Sequence, residues 1–356
     1  IHPTCIPQSG DYQSKLTLFF WVARMVMFGL EFSDRVPFAK VHLTGLVRDA
    51  EGRKMSKTKG NTVDPLDLVE EFGADALRFT LAALDSPGRD IPLDRERMAG
   101  YRAFGNKIWN ATRFALGRLG DDFEPSPVDA ERLEAPERWI RSRLARVAAE
   151  VDERFETFRF DEACHQLYHF FWGDLCDWYL ELTKPALYDE APRPFVREVL
   201  VEVLEESLRL LHPVMPFLTE ELWQRLPGVT ERHGETITLA PYPVAEPSHV
   251  DAELEASMDR LFEVIGRVRN IRAELGLPRK VEIELFLDAE DADLRELLAS
   301  QQALLKFLCG LEALRFAEAP EGAARDRVAG VELGVVAPER ELGAEERARL
   351  EKEAER

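Results

Sequence analysis

The sequence predicts three structural parts in succession: an α/β segment, a mainly α-helical bundle and a small α+β module. The α/β segment is predicted because short β-type runs at residues 41–47 follow one long apolar helix and precede other helices. The bundle is predicted because residues 136–227 are helical in pattern and are divided by prolines into about four helices. The module is predicted because a strand-like run at 281–287 lies between two helical segments.

Length and composition are those of a globular protein. The chain has 356 residues, enough for two or three domains, and 45% of them are hydrophobic and 31% charged. Lys and Arg total 46 against 66 Asp and Glu, which gives a net charge of -20. This balance argues against general attraction to nucleic acid or to an anionic membrane, so a nucleic-acid contact would need local basic patches.

Cysteine usage and hydropathy predict a cytoplasmic protein without a membrane span. The cysteines are few, scattered and without a C-x-x-C pair: Cys5, Cys164, Cys176 and Cys309. The longest apolar run, at residues 18–30, is interrupted by Arg24 and is too short to cross a bilayer. His165 and His169 lie one helical turn apart, but their apolar neighbours indicate a bundle helix, and we expect no metal site.

The α/β segment begins with a helix and ends with a loop. Residues 18–32 are apolar nearly all round, which predicts a buried helix ending near Gly29. The β-type runs at 41–47 come next, and a basic loop follows them. Asp64 and Pro65 then predict a helix start, because Asp accepts free amide hydrogens and Pro is tolerated at the first helical position.

Helical spacing continues through the rest of the chain. Residues 95–119 predict a long amphipathic helix with basic residues interleaved, and residues 251–275 predict another. After the strand at 281–287 we expect a helix at 291–308 and strands near 311–317 and 328–336. The tail from Pro338 is rich in Glu, Arg and Ala, which predicts the start of a solvated helix or coiled coil.

The loop at residues 52–61 carries the strongest chemical signal. It places four cations between two glycines directly after the β-type sequence: Arg53, Lys54, Lys57 and Lys59. Glycines permit hinge-like backbone angles, and lysines supply mobile point charges for a polyphosphate and for charge that builds on a leaving pyrophosphate. The alternative is an exposed basic loop without a ligand, and spacing alone does not decide between them.

The order of residues around this loop resembles the class I aminoacyl-tRNA synthetases. K-M-S-K-T at 54–58 is similar to their KMSKS signature, with GLVRD-x-x-G-R before it and GN-x-x-DP and FGADALRF after it. Within the class the resemblance is to valyl-tRNA synthetases. Five further phrases support it: FFWVARMVMFGLEF at 19–32, FGNKIWNATRF at 104–114, CDWYLELTKP at 176–185, LLHPVMPFLTEELWQ at 210–224 and RNIRAELGLP at 269–278.

The resemblance implies a domain order. Residues 1–60 would be a remnant of a Rossmann-type catalytic domain with its KMSKS-like loop, and 61–125 would be stem-contact helices. Residues 126–249 would form an anticodon-binding helical bundle. A small α+β module at 250–337 and the start of a C-terminal coiled-coil arm at 338–356 would follow.

The resemblance also implies an activity and its residues. The family activates valine with ATP and Mg²⁺ to valyl-adenylate and transfers valine to tRNA(Val), and its members are usually monomers. Lys57 would contact the phosphates in the activation transition state and is the predicted catalytic residue. Lys54, Met55, Ser56 and Thr58 would complete the ATP-binding loop, although Thr58 stands where Ser is more usual. Trp21 would line the amino-acid pocket, unless it is a core aromatic.

The first 17 residues depart from the family pattern. Where the family carries VTG-x-D, this chain has Ser14 in place of the Gly and Leu16 in place of the Asp that binds the ATP ribose. The HIGH-type adenine motif and the editing domain, which the family carries upstream, are not in this sequence, so we expect the chain by itself to be inactive. Two alternatives remain: a non-catalytic tRNA-binding module, or an isoleucyl or leucyl relative.

Two stretches supply the basic patches that tRNA binding would need. Residues 95–118 hold six basic residues and one acidic residue, and residues 265–280 hold five and one. Screening limits the reach of distant carboxylates to about 8–10 Å, so such clusters can contact phosphates in an acidic protein. The predicted tRNA contacts are Arg95, Arg102, Lys107, Arg113, Arg269 and Arg272. The alternative for each stretch is an ordinary solvated helix face.

Overall fold

The computed structural model describes most of the chain, in two compact units. It covers the backbone of residues 4–8 and, with side chains other than that of Lys57, residues 18–120, 123–188, 193–278 and 280–338. The first unit extends to residue 180 and resumes at 193–250, and the second comprises 181–188 and 251–338. The substitutions at Ser14 and Leu16 and the coiled coil predicted from residue 338 therefore lie, apart from Pro338, outside the described residues.

Short parallel strand pairs precede and flank the basic loop. The pairs are β1 (Thr4–Gln8) with β2 (Val41–Gly45), and β3 (Val47–Arg48) with β4 (Ile91–Pro92). Gly45, the last residue of β2, has no room for a side chain, because a Cβ there would lie 1.9 Å from the Arg89 carbonyl oxygen. The Leu46 amide donates to the Asp90 carboxylate over 3.0 Å, and the Ile91 amide donates to the Leu46 carbonyl over 2.8 Å. These bonds fix the strand that leads into the loop.

The apolar helix near the start of the described chain is exposed, so the prediction that it is buried is wrong. A π-helical turn at Leu18–Val22 leads into α1 (Ala23–Ser33). Large side chains in this segment are between 60 and 78% exposed: Phe19, Trp21, Met27, Phe28 and Phe32. The helix is apolar all round, and none of its residues is buried by the described part of the chain.

The end of α1 also differs from the prediction. The helix continues past Gly29 to Ser33, and Asp34 follows it in a left-handed conformation with φ 51°. A Cβ on Gly29 would lie 2.7 Å from Pro37 Cδ. The glycine therefore allows the chain to fold back over the helix and does not terminate it.

The remainder of the first unit is helical. Its helices are α2 (Pro65–Phe72), α3 (Ala74–Ala83), α4 (Arg95–Leu119), α5 (Ala135–Glu156), α6 (Phe160–His169), α7 (Leu180–Leu187, which passes into the second unit), α8 (Val196–Leu211), α9 (Pro216–Trp223) and α10 (Val229–His233). A π-helical segment, Phe170–Tyr179, joins α6 to α7. As predicted, Pro65 stands at the first turn of α2, and the Asp64 carboxylate accepts from the Leu66 amide over 2.9 Å.

Large aromatic residues fill the interior of this unit. Those that are almost fully buried include Phe79, Phe104, Trp139, Phe171, Tyr179 and Trp223. Glu137, which is fully buried, pairs with Arg193 over 2.8 Å. His165 and His169 are exposed on α6, and within the described residues no group of three or more His, Cys, Asp and Glu is placed to hold a metal ion.

The second unit packs helices against a four-stranded sheet of described strands. Its elements after α7 are α11 (Ala252–Glu274), β5 (Ile283–Ala289), α12 (Ala292–Ser300), α13 (Gln302–Cys309), β6 (Leu311–Arg315), β7 (Ala324–Val328) and β8 (Val331–Val336). The strand order is β6-β5-β8-β7, with β5 parallel to β6 and the other pairs antiparallel. Alternate residues of β5 are buried, as expected for a sheet with one covered face. None of the described helices meets the length and hydropathy of a membrane span.

Candidate functional site

The basic loop is closed at its base by two polar side chains, Asp49 and Asn61. Asp49 accepts from the Arg53 amide over 2.6 Å, from Arg53 Nε over 2.8 Å and from Asn61 Nδ2 over 2.9 Å. The Asn61 and Arg53 hydrogen bonds lower the pKa of the Asp49 carboxyl below its ordinary value. The two ends of the loop are thereby held together around an ionised carboxylate.

The interior of the loop is ordered by the same asparagine. The Ser56 amide donates to Asn61 Oδ1 over 2.9 Å, and Asn61 Nδ2 also donates to the Lys54 carbonyl over 3.3 Å. Ser56 and Thr58 place their hydroxyl oxygens 3.3 Å apart. Gly52 and Gly60 have φ values of 76° and 66°, the left-handed region that favours glycine. Glycines thus flank the signature residues at the two points where the chain reverses.

The signature residues of this closed loop differ in their exposure. Lys54 and Thr58 are exposed, and Met55 and Ser56 are half-buried. Lys57 begins a short 3-10 turn, Lys57–Lys59, while its side chain lies outside the described structure. A basic loop with an exposed lysine and an exposed hydroxyl is suited to an anionic, phosphate-bearing ligand.

A small hydrophobic core packs against the residues on either side of the loop. Leu68, Phe72 and Met98 are buried in it, and Val47 and Val63, which lie on either side of the loop, pack against it. The strand before the loop is further fixed by an ion pair between Arg48 and Asp90. The loop is therefore mounted on packed elements at both ends, which favours a defined orientation.

Trp21, the predicted pocket residue, is 68% exposed on the uncovered helix. Its role in an amino-acid pocket stays a prediction. His42, for which no catalytic role is predicted, has its Nε2 3.2 Å from the Asp85 carboxylate and stacks on Phe158 with ring centroids 5.2 Å apart. These contacts give His42 a structural role.

The basic residues predicted on α4 fall on two faces of the helix. At 100° per residue, Arg95, Arg102 and Arg113 project from one face, and Lys107 projects from another. The three arginines are exposed; Arg95 pairs with Glu71, and Arg102 donates to the Glu71 carbonyl over 2.8 Å. The three arginines share one face of the helix, here called the arginine stripe, on which Arg95 and Arg102 are engaged by Glu71.

Lys107 belongs to a separate polar and aromatic surface. Its ammonium lies 2.8 Å from the Asp177 carboxylate and 4.8 Å from the centre of the Trp172 ring. Asp177 and Trp172 are both in the π-helical segment, a distortion that is frequent at functional sites. The spacing in the sequence did not distinguish this surface from the arginine stripe.

In the second unit, the placement of Arg272 argues against the predicted direct tRNA contact. Arg272 is only 7% exposed, and its guanidinium donates to carbonyl oxygens of Pro278, Val281, Cys309 and Gly310. A single side chain thereby donates hydrogen bonds to four backbone carbonyls, two in the turn at 278–281 and two between α13 and β6. Arg269 is half-buried, and its Nε donates to the Leu308 carbonyl over 3.3 Å.

Three positioning residues were not singled out from the sequence. Asp49 and Asn61 lie in the flanks of the loop signature, and the available signal was an Asp and an Asn on either side of a glycine-bounded loop. Asp75 on α3 accepts from the amides of Phe217 and Leu218 over 3.2 and 2.6 Å and so caps α9. No sequence signal pointed to this contact, because its partners are 142 and 143 residues apart.

Two family models match the chain. The model for tRNA synthetases class I (I, L, M and V) matches residues 10–94, which include the closed loop. The model for the anticodon-binding domain of tRNA ligase matches residues 137–287, which begin in the helical bundle and extend into the second unit. The helical bundle thus carries a class I synthetase anticodon-binding domain.

Several curated relatives are valine–tRNA ligases. Valine–tRNA ligases from Syntrophotalea carbinolica and Geobacter sulfurreducens are each 47% identical, over 85% and 89% of this chain and 34% and 36% of their own lengths. The valine–tRNA ligase of Geobacillus stearothermophilus is 42% identical over 94% of this chain and 38% of its own. The chain therefore spans somewhat more than a third of the relatives it matches.

The structural neighbour shares the fold at low sequence identity. It is an Agrobacterium radiobacter LeuRS, solved as a LeuRS-tRNA-LeuAMS ternary complex, with a TM-score of 0.55 and 19% identity over 84% of this chain and 34% of that one. The relatives reported above, at 42–47% identity, are valine–tRNA ligases, so the isoleucyl or leucyl alternative is not favoured. The closed KMSKT loop, the anticodon-binding domain and identities of 42–47% along most of the chain place this protein in the valine–tRNA ligase family of class I tRNA synthetases.

Proposed function

We propose that this chain provides the ATP-phosphate loop and tRNA-binding surfaces of a valine–tRNA ligase. The reaction joins valine to ATP as valyl-adenylate with release of pyrophosphate, and then transfers valine to tRNA(Val). The observation that carries the proposal is the loop of residues 52–60, which Asp49 and Asn61 close at its base and on which Lys54 and Thr58 are exposed.

Lys57 is the proposed catalytic residue. Attack of the valine carboxylate at the α-phosphorus places negative charge on the equatorial oxygens and on the departing pyrophosphate, and a positioned ammonium stabilises that charge. Lys54, Met55, Ser56 and Thr58 form the rest of the ATP-binding loop in this proposal. Trp21 is proposed to line the valine pocket.

Magnesium enters this proposal as part of the ATP substrate. Mg²⁺ is commonly held by substrate phosphates with only one or two carboxylates, so it does not need a protein cage. The two carboxylates that precede the signature are already paired, Glu51 with Arg53 and Asp49 with Arg53 and Asn61. The loop therefore fits a phosphate-bound ion better than a protein-bound one.

The domain assignments follow from the same proposal. We assign 1–60, with its parallel strand pairs, to a Rossmann-type catalytic domain and 61–125 to stem-contact helices. The anticodon-binding bundle is assigned to 126–249, the small α+β module to 250–337 and the start of the coiled-coil arm to 338–356. We propose a monomer in the cytoplasm; the free thiols of Cys164, Cys176 and Cys309 are consistent with a reducing compartment.

The arginine stripe on α4 is the proposed tRNA-contact surface of the first unit. Arg95, Arg102 and Arg113 are exposed on one face, and cations in such an array gain affinity by releasing counterions from phosphates. Lys107, on the second face, is proposed as an additional tRNA contact beside Trp172.

The catalytic proposal is tested by replacing Lys57. In the natural gene product that contains these residues, Lys57→Ala should slow valine-dependent ATP–pyrophosphate exchange by about 100-fold or more, because one transition-state donor is lost. Binding of tRNA(Val) should change by less than about twofold, since the proposed phosphate contacts to tRNA are made by residues of α4 and not by Lys57.

Lys59→Ala is the matched variant, because Lys59 is the neighbouring cation outside the five-residue signature. It should retain most of the exchange activity. Equal losses for the two variants would indicate a general effect of loop charge, and unaltered exchange by Lys57→Ala would remove the catalytic assignment. Faster exchange with isoleucine or leucine than with valine would contradict the assignment of valine as the substrate.

A further inference from the structure

A pocket of about 300 Å³ lies within the first unit, between α4, the corner that joins α2 to α3, and the start of α9. Neither Trp21 nor any residue of the loop at 52–61 lines it. A volume of this size is at the lower end for small-molecule sites, so the pocket suits a small ligand.

Gly105 on α4 leaves room for this pocket. A Cβ at Gly105 would lie 3.6 Å from both Met215 Cε and Leu218 Cδ2, two side chains that line the pocket on the opposite side. A larger side chain at this position would therefore extend into the space between α4 and the start of α9.

The pocket has a wall of apolar and aromatic side chains. Phe72 and Met215 are buried, the Trp109 ring is half-buried, and Phe217 is 66% exposed. The Trp109 ring is also held by Arg225, whose guanidinium carbon lies 5.6 Å from the ring centre. Such a wall favours a ligand with an apolar or aromatic side chain, because contact with it removes apolar surface from water.

Asp75 is the one carboxylate among the described residues that line the pocket. One of its oxygens accepts from the Phe217 amide over 3.2 Å and the other from the Leu218 amide over 2.6 Å. A carboxylate oxygen can accept more than one hydrogen bond, so each retains capacity for a further donor. Burial raises the pKa of the Asp75 carboxyl, and a cation placed beside it would oppose that change.

Arg102 is the one cation among the same described lining residues. Its Nη1 donates to the Glu71 carbonyl over 2.8 Å, and within the described part of the chain its other N–H groups have no partner. A guanidinium can bind a carboxylate through two parallel hydrogen bonds. A ligand with a single charge would be attracted by one of Asp75 and Arg102 and repelled by the other, whereas a zwitterion is attracted by both.

We propose that this pocket binds a free α-amino acid with a large apolar side chain. The ammonium group pairs with Asp75, the carboxylate pairs with Arg102, and the side chain packs against Trp109 and Met215. The site is separate from the valine pocket proposed at Trp21, so the inference does not rest on the proposed function. Arg102 also belongs to the arginine stripe, and binding is therefore measured in the absence of tRNA.

A series of ligands tests each contact on the unaltered chain. Affinities are measured by saturation-transfer NMR titration, with L-phenylalanine as the reference ligand. Phenethylamine lacks the carboxylate and 3-phenylpropionate lacks the ammonium group, so each should bind about tenfold more weakly or worse, because one charge-assisted contact is lost. Glycine has both charges and no side chain, and it should show no measurable binding.

Two leucine substitutions on the same helix test the location. Gly105→Leu should abolish binding of L-phenylalanine, because the new side chain occupies the pocket. Gly117→Leu is the matched control, since a Cβ at Gly117 would meet no atom within 4 Å, and its affinity should stay within about twofold of the unaltered chain. Circular dichroism of both variants checks that the helical fold is retained.

Arg102→Gln provides a test that does not depend on filling the pocket. It should weaken binding of L-phenylalanine by about tenfold and change that of phenethylamine by less than about twofold, because phenethylamine has no carboxylate for the guanidinium to bind. A variant that had merely lost its fold would bind both ligands more weakly, and that result would contradict the assigned contact.

The remaining outcomes separate this inference from the proposed function. If the unaltered chain does not bind L-phenylalanine, or binds phenethylamine and 3-phenylpropionate equally well, the inference is wrong. Binding that is lost in Trp21→Ala and retained in Gly105→Leu would place the amino acid at Trp21 and overturn the site. The exchange activity of the Lys57 variant depends on neither result, so the two proposals can fail independently.

Discussion

Asn61 is the residue on which the shape of the basic loop depends most. Its amide joins Asp49, the Lys54 carbonyl and the Ser56 amide, so one side chain links both ends of the loop to its middle. The pKa of Asp49 is lowered in the folded protein. The stability that the Asp49 carboxylate contributes is therefore fully present above the ordinary carboxyl pKa and is lost as pH falls through the folded pKa. The closed loop is therefore fully supported at neutral pH.

Removal of the Asn61 side chain should open the loop. We expect Asn61→Ala to speed tryptic cleavage within residues 53–59 by about tenfold, because the loss of roughly 1–2 kcal/mol of hydrogen bonding raises the population of the open loop. Cleavage sites are assigned by mass spectrometry. Asn270→Ala, an exposed asparagine in the second unit, should leave the rate unchanged, and equal rates for both variants would show that Asn61 does not hold the loop.

Two helices illustrate how the surroundings of an element set its properties. Helix α1 has an apolar sequence, yet its large side chains are exposed, since no described element covers its outer sides. An exposed apolar surface of this extent is typical of an interaction surface. Helix α8 is the opposite case, because it carries Glu202, Glu205 and Glu206 into a packed bundle.

Burial and the neighbouring Glu202 raise the pKa of Glu206 on α8 from 4.5 to about 7. Since the folded state holds this proton more tightly than the unfolded state, the stability of the protein falls as pH rises between those two values. Glu206→Gln should therefore increase the free energy of unfolding at pH 8 by about 1–3 kcal/mol and have little effect near pH 4.5. Urea denaturation followed by circular dichroism at both pH values measures this.

The control for Glu206 is Glu156→Gln, an exposed carboxyl at the end of α5. Its pH profile should follow that of the unaltered chain within a few tenths of a kcal/mol. If the two substitutions have the same effect at pH 8, the burial of Glu206 does not govern the pH dependence.

At the scale of the whole molecule, each compact unit has its own buried arginine. Arg193 neutralises the fully buried Glu137 in the first unit, and Arg272 satisfies four backbone carbonyls in the second. Burial raises the pKa of Glu137, and Arg193 opposes that change. Each arginine supports packing within its own unit.

Loss of either arginine should therefore destabilise one unit selectively. Arg193→Met leaves a buried carboxyl without its partner and should cost the first unit about 3–5 kcal/mol, and Arg272→Met should cost the second unit about 3 kcal/mol. Hydrogen exchange with mass spectrometry should show faster exchange in α5 and α8 for the first variant and in α11 and β5 for the second. Each variant is the control for the other, and faster exchange throughout the chain in both would contradict independent units.

Local structure was largely predictable from the sequence. The helices α2, α4 and α11 begin within two residues of their predicted starts, because caps and periodicity are encoded by neighbouring residues. The loop signature was also recognisable, since its cations, glycines and hydroxyls are contiguous. The exposure of α1 and the inward orientation of Arg272 were not predictable, because they depend on which distant residues pack against a side chain.

The sequence by itself determined the order of the elements, the position of the basic loop and the family. These follow from residue spacing and from motifs that lie within a few positions of one another. Only the tertiary structure decided that Asn61 closes the loop on Asp49, that Lys107 and the arginines of α4 lie on different faces, and that Arg272 points inward. Burial and hydrogen-bond partners are set by residues brought together from distant parts of the chain, and no local pattern specifies them.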